Sequence, residues 1–167
     1  QLLSNGSQQG TRLLGNLYLR GLGDPTIQWA DYQALAASLA AQGIRQVQGD
    51  MVFDDSWFDA ERLGVDWAHD DEDKYYGAQI SALTVSPNAD FDAGTLIVTA
   101  KAPTTVGQLV NVTLSPPTDY VQLSNLAVSG PGNSYGLKRQ HGSNLLRLSG
   151  ALPPGKQSRQ WVSVWEP

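Results

Sequence analysis

Cysteine is absent from the 167 residues. That excludes disulfides, thiolate metal sites and a cysteine nucleophile. No apolar run approaches the ~20 residues of a membrane span, and the N-terminus lacks the basic-then-apolar pattern of a signal peptide. Gln1 is an unusual natural start, so the chain is expected to be a mature or excised piece of a longer protein. Positive charge is scarce: 11 Lys and Arg stand against 16 Asp and Glu, for a net charge of −5. With no basic stripe to neutralise phosphates, nucleic acid is not expected as a partner. Charged residues as a whole reach only 16%, too few for a disordered tail, and the apolar fraction of 41% is enough for a packed core.

What is present is turn chemistry and aromatic rings among acids. Seventeen glycines and nine prolines favour a β-rich chain with many turns. Residues 16–20 alternate polar and apolar and read as a strand. Residues 29–41 form the one helix, with Tyr32, Leu35, Ala36 and Leu39 making an apolar stripe, and Gly43 supplies a left-handed cap. Residues 47–53 read as the next strand, and strand, helix, strand in this order suggests a small α/β layer. Residues 54–77 have no clean period and read as a long ordered loop, with a short helical turn at 59–63. Residues 79–85 read as a strand. Beyond residue 92 short candidate strands follow one another at 95–101, 109–114, 120–123, 136–140 and 144–148, without a helical stripe. A closing strand at 161–165 is expected to rejoin the first layer. The fold class is therefore α+β: a small α/β layer domain carrying an inserted all-β subdomain.

Charge and aromatics concentrate in one window. Between Asp50 and Asp73 lie ten of the sixteen acids with Arg62 as the one opposing base, so the window is −9 and the remainder +4. Trp57, Phe58, Trp67, Tyr75 and Tyr76 lie in or just beyond it. Carboxylates beside flat rings suit a ligand with a positive charge on an aliphatic stem. No nucleophile is paired with a base there, so the stretch is suited to recognition and not to transformation. Trp57 and Phe58 are expected in the core, because large aromatics are strongly buried. The acidic run 70–73 reads as a solvated loop. His69 and His141 are far apart and fit no metal-ligand pattern, so no metal and no cofactor are expected.

Four segments resemble one family in order: GNLYLRGLGDPT at 15–26, GDMVFDDSW at 49–57, YYGAQISAL at 75–83 and the closing WVSVWEP. They are similar to the class C low-molecular-mass penicillin-binding proteins, serine-type D-alanyl-D-alanine carboxypeptidases that trim peptidoglycan stems. The resemblance implies an insertion between the Ser-x-x-Lys motif and the later motifs of a catalytic domain. Its expected divisions are a catalytic-domain tail at 1–14, an α/β insertion domain at 15–92 plus 156–167, and a nested β-rich subdomain at 93–155. The catalytic domain itself would be absent. Consistent with that, no serine is followed three residues later by lysine, and no Lys-Thr-Gly occurs. Ser86-Pro87-Asn88 matches a bare Ser-x-Asn and reads as a turn. The chain alone is therefore expected to be inactive. By resemblance the side-chain contacts to the stem-peptide diamino acid are Trp67, Asp70 or Asp71, and Tyr76. The implied partners are the stem peptide and the catalytic domain of the same chain, in an extracytoplasmic setting of cell wall or periplasm. A free-standing peptidoglycan-binding module and a structural spacer are the alternatives.

Overall fold

The computed structural model describes residues 1–167, and their contacts divide them into two units. The first comprises Gln1–Arg62 and Ile80–Ala93; the second comprises Leu63–Gln79 and Gly94–Pro167.

In the first unit the chain runs β1 (Leu2–Ser4), β2 (Ser7–Gln9), β3 (Arg12–Leu14), β4 (Leu17–Arg20), α1 (Trp29–Ala41), β5 (Gln46–Val47) and β6 (Met51–Asp54). One sheet has the order β1-β4-β6, with β4 and β6 parallel on either side of α1 in sequence, and the other has the order β2-β3-β5. The strand–helix–strand order read from the sequence is thus present. Asp31 starts the helix by accepting the Gln28 N–H at 2.8 Å, one half of a capping box. Gly43 ends it at φ +85°. Of the expected stripe, Tyr32, Leu35 and Leu39 are half-buried, while Ala36 is exposed. The Tyr32 hydroxyl ties the helix to the Thr84 carbonyl at 2.6 Å. Leu13, Leu17, Leu19 and Ala82 form the buried apolar positions of this unit.

Residues 1–14 form three strands that pair within this unit. Two local readings are corrected here. Residues 47–53 hold parts of two short strands instead of one. The strand expected at 79–85 does not form. The Ser81 hydroxyl instead bonds the Leu83 carbonyl and N–H, so a side chain takes the place of a ladder partner.

The second unit is β-rich: β7 (Thr95–Lys101), β8 (Asn111–Ser115), β9 (Gln122–Asn125), β10 (Val128–Ser129), β11 (Gly136–Arg139), β12 (Leu145–Ser149), β13 (Ala151–Leu152) and β14 (Gln157–Ser163). Its sheets have the orders β14-β7-β8 and β11-β12-β9, with a separate parallel pair β10-β13. Leu96, Val98, Ala100, Val110, Val121, Leu146, Leu148, Leu152 and Val162 belong to its core. The closing strand is the main topological correction. It pairs antiparallel with β7 along seven positions and does not rejoin the first layer. Apolar residues on both faces of β7 are buried, and its two edges are filled by β14 and β8. The segment Leu63–Gln79 also belongs to this unit. It contains two 3-10 turns, His69–Asp71 and Tyr75–Gly77, in place of the helical turn expected at 59–63.

Candidate functional site

The loop of residues 63–79 is fixed to the β-rich unit by its backbone and by one buried acid. Lys74 makes an antiparallel bridge to Val162 of β14, and the Ser163 N–H donates to the Asp73 carbonyl at 3.4 Å. The second 3-10 turn folds back on the first: a Cβ on Gly77 would stand 2.2 Å from the Asp71 carbonyl oxygen, so only glycine permits this approach. At Gly64 the neighbour is the exposed Trp67 side chain, which can shift. A Cβ there would meet the indole Nε1 at 2.7 Å.

Glu72 is the pin. Its residue is 7% exposed, in the middle of a run expected to be fully solvated. Oε1 accepts from Arg139 Nη2 at 3.1 Å and from the Gly142 N–H at 3.5 Å. Oε2 is in direct contact with Nδ1 of His141, and Nδ1 of His69 stands 3.8 Å away. The Arg139 guanidinium, 1% exposed, also donates to the carbonyls of Glu72 at 2.8 Å and Ser143 at 3.0 Å, and to Ser163 Oγ at 3.3 Å. Its face lies 5.7 Å from the centre of the Trp165 ring. Burial alone would raise the Glu72 pKa, but the bonds from His141, Arg139 and Gly142 outweigh it and hold the carboxyl below 4.5. A charged acid and a charged base are thus buried together with their remaining polar atoms largely satisfied, the condition under which such a pair is tolerated.

Beside this pin lies a shallow cleft of about 210 Å³, lined by His69, Asp70, Glu72, Asp73, Lys74, Lys138, Arg139 and His141. Of the four contacts expected from the resemblance, the structure joins two directly: the Tyr76 hydroxyl donates to Asp71 Oδ1 at 2.9 Å. That bond, first of all, raises the Tyr76 pKa above 10 and keeps the phenol protonated. Tyr75 packs edge-on against Tyr76 with ring centres 5.2 Å apart. Asp70 faces the cleft, and Trp67, 44% exposed, rests on the Gly64 turn. All four residues belong to the second unit.

The model for the D-Ala-D-Ala carboxypeptidase 3 (S13) family matches residues 1–167. The chain belongs to this family. Among S13-type relatives it is 43% identical over 141 residues to a D-alanyl-D-alanine carboxypeptidase of Actinomadura sp. (strain R39), covering 83% of this chain and 26% of that protein. It is 33% identical over 147 residues to the D-alanyl-D-alanine carboxypeptidase DacB of Haemophilus influenzae, covering 82% and 30% respectively. The crystal structure of penicillin binding protein 4 (dacB) from Haemophilus influenzae superposes with a TM-score of 0.74 at 26% identity, over 99% of this chain and 36% of that one. The chain therefore spans about a quarter to a third of the length of these relatives.

The bare Ser-x-Asn at 86–88 is structural in this S13 chain. Ser86 is 1% exposed, and its hydroxyl donates to the Pro25 carbonyl. Trp57 and Phe58 correct another expectation, being 57% and 40% exposed. Trp57 lies under the Arg20 guanidinium at 5.8 Å, and the Phe58 ring covers Gly23. Both rings follow β6, an edge strand of the three-stranded β1-β4-β6 sheet. Sequence reasoning missed Glu72, Arg139 and His141 as a group. The available signal was the Arg139-Gln140-His141 triplet, two basic side chains in a β-rich stretch containing few acids.

Proposed function

We propose that this chain is the non-catalytic insertion region of an exported serine-type D-alanyl-D-alanine carboxypeptidase/endopeptidase acting on peptidoglycan stem peptides. Its 63–79 loop reads the side chain of the stem-peptide diamino acid. The observation that carries the reading is the Asp71–Tyr76 pair. The bond uses Oδ1 of the carboxylate and leaves Oδ2 for a ligand ammonium. The pair is the reason to assign the ammonium to Asp71 and not to Asp70. Exposed rings of Tyr75, Tyr76 and Trp67 on the same loop offer apolar faces for the methylene stem. The names of the relatives support the substrate class, and the lack of Ser-x-x-Lys and Lys-Thr-Gly in this sequence supports acyl-transfer chemistry carried by a separate catalytic domain. Such a chain on its own takes up no penicillin covalently.

The test is made in the full-length enzyme. A carboxylate–ammonium contact of this kind contributes about 0.5–2 kcal/mol, so Asp71→Ala lowers kcat/KM by about 2- to 30-fold on substrates with a free side-chain amine. Substrates with that amine acetylated are unaffected. Equal kcat/KM for wild type and variant on both substrates would make the insertion a spacer and overturn the reading.

A further inference from the structure

The second unit holds a group of side chains that substrate recognition does not use. His69, Glu72 and His141 come from two parts of the chain, yet their candidate donor atoms all lie within 4.8 Å of one another. We propose that these three residues form a binding site for a borderline divalent metal ion, with zinc as the best match.

Three observations support this beyond the residue types. First, the three donor groups converge on one place, as the protein ligands of a three-ligand tetrahedral site do. Donors at about 2.0–2.1 Å from a zinc ion stand about 3.3 Å apart. His69 Nδ1 is 3.8 Å from Glu72 Oε2, and the two imidazoles meet edge-on with ring centres 4.3 Å apart. His141 Nδ1 touches the same oxygen, and its side chain is 64% exposed, so it has room to swing outward around an ion.

Second, the carboxylate is held by its other oxygen. Arg139 Nη2 and the Gly142 N–H both bond Oε1, which aims Oε2 at the two imidazoles. Outer partners of this kind orient a metal ligand and fix its direction. The nearby guanidinium opposes a dication and weakens the site relative to one with an unpaired carboxylate. Third, the donor set is chemically selective. Two imidazoles and one carboxylate suit zinc, nickel or copper, and offer too few hard oxygens for calcium or magnesium. The side chains of His69 and His141 are mostly exposed, so the outer side of the site is open to water and to a fourth ligand.

A metal here would bind residues of the loop at 69–72 to the turn after β11, alongside the Glu72–Arg139 pair. The inference stands apart from the assignment of Asp71 to substrate, since neither Asp71 nor Tyr76 supplies a donor atom.

Zinc titrated calorimetrically into the chelator-treated full-length protein at neutral pH tests it. One zinc per chain is expected, and His69→Ala and His141→Ala each weaken binding at least about 10-fold. Co(II) in place of zinc gives the visible absorption of a four-coordinate ion in the wild type and loses it in both variants. Both histidines are mostly exposed, so the variants keep the fold, which far-UV circular dichroism checks. Failure to bind zinc stoichiometrically, or equal affinity in wild type and both variants, overturns the proposal.

Discussion

Removing the Glu72 side chain should destabilise the second unit strongly. In Glu72→Ala the Arg139 guanidinium, 1% exposed, loses the acid that compensates its charge while keeping its carbonyl partners. Breaking a buried pair by removing one partner costs about 3–5 kcal/mol, and the surviving carbonyl bonds place this case near ~3 kcal/mol. For a cooperative unit of roughly 60–100 residues each kcal/mol lowers the thermal midpoint by about 4–8 °C, so a fall of at least about 12 °C is expected. Trp165 lies against Arg139 and reports the transition by its fluorescence in urea or on heating. A double variant, Glu72→Ala with Arg139→Met, removes the orphaned charge and should recover much of the loss, giving a large coupling in the double-mutant cycle. A single-variant loss under about 1 kcal/mol, or simple additivity in the cycle, would refute the idea that the pair pins the loop.

Other outcomes follow from the same geometry. Because the Glu72 pKa is held below 4.5 in the folded chain, the pair stabilises fully above that value. Its contribution is lost as the pH falls through the lowered pKa. The gap in urea midpoint between wild type and Glu72→Gln, measured in chelator, should close on acidification; a constant gap would contradict the sign. Gly77→Ala drives a methyl into the Asp71 carbonyl, costing about 1–3 kcal/mol and shifting Tyr76 away from Asp71. Urea denaturation reads the first effect, and a Tyr76 pKa returning toward 10 in an ultraviolet titration reads the second. Leu148→Ala, at a site 1% exposed in the core of the β-rich unit, should cost about 2–5 kcal/mol in the same denaturation assay.

Elements with a strong local signal were legible in the sequence. The helix at Trp29–Ala41 and the strand at Thr95–Lys101 have the bounds read from the sequence, because an alanine-rich run and a run of β-branched residues are local signals. Residues 79–85 carried β propensity, but a strand needs a neighbouring edge, and Ser81 satisfies the backbone locally instead. The pairing of β14 with β7 was equally hidden, since partner choice depends on which edges are free and not on either strand alone. At the proposed site, the aromatic and acidic texture singled out the loop within which Asp71 and Tyr76 are joined. Glu72 was indistinguishable from its acidic neighbours, because its burial depends on Arg139 and His141, 67 and 69 residues away. Trp57 and Phe58 failed for the reverse reason: a general tendency to bury large rings says nothing about whether a particular sheet is wide enough to cover them.

The bond from the Ser163 hydroxyl to the Glu72 carbonyl spans 91 residues of chain. Until β14 is in place, the loop lacks its backbone bridge to that strand, so its anchoring depends on a strand laid down much later in the chain. Mutual repulsion and hydration of the carboxylates between Asp50 and Asp73 oppose association of this aromatic segment while that anchor is missing.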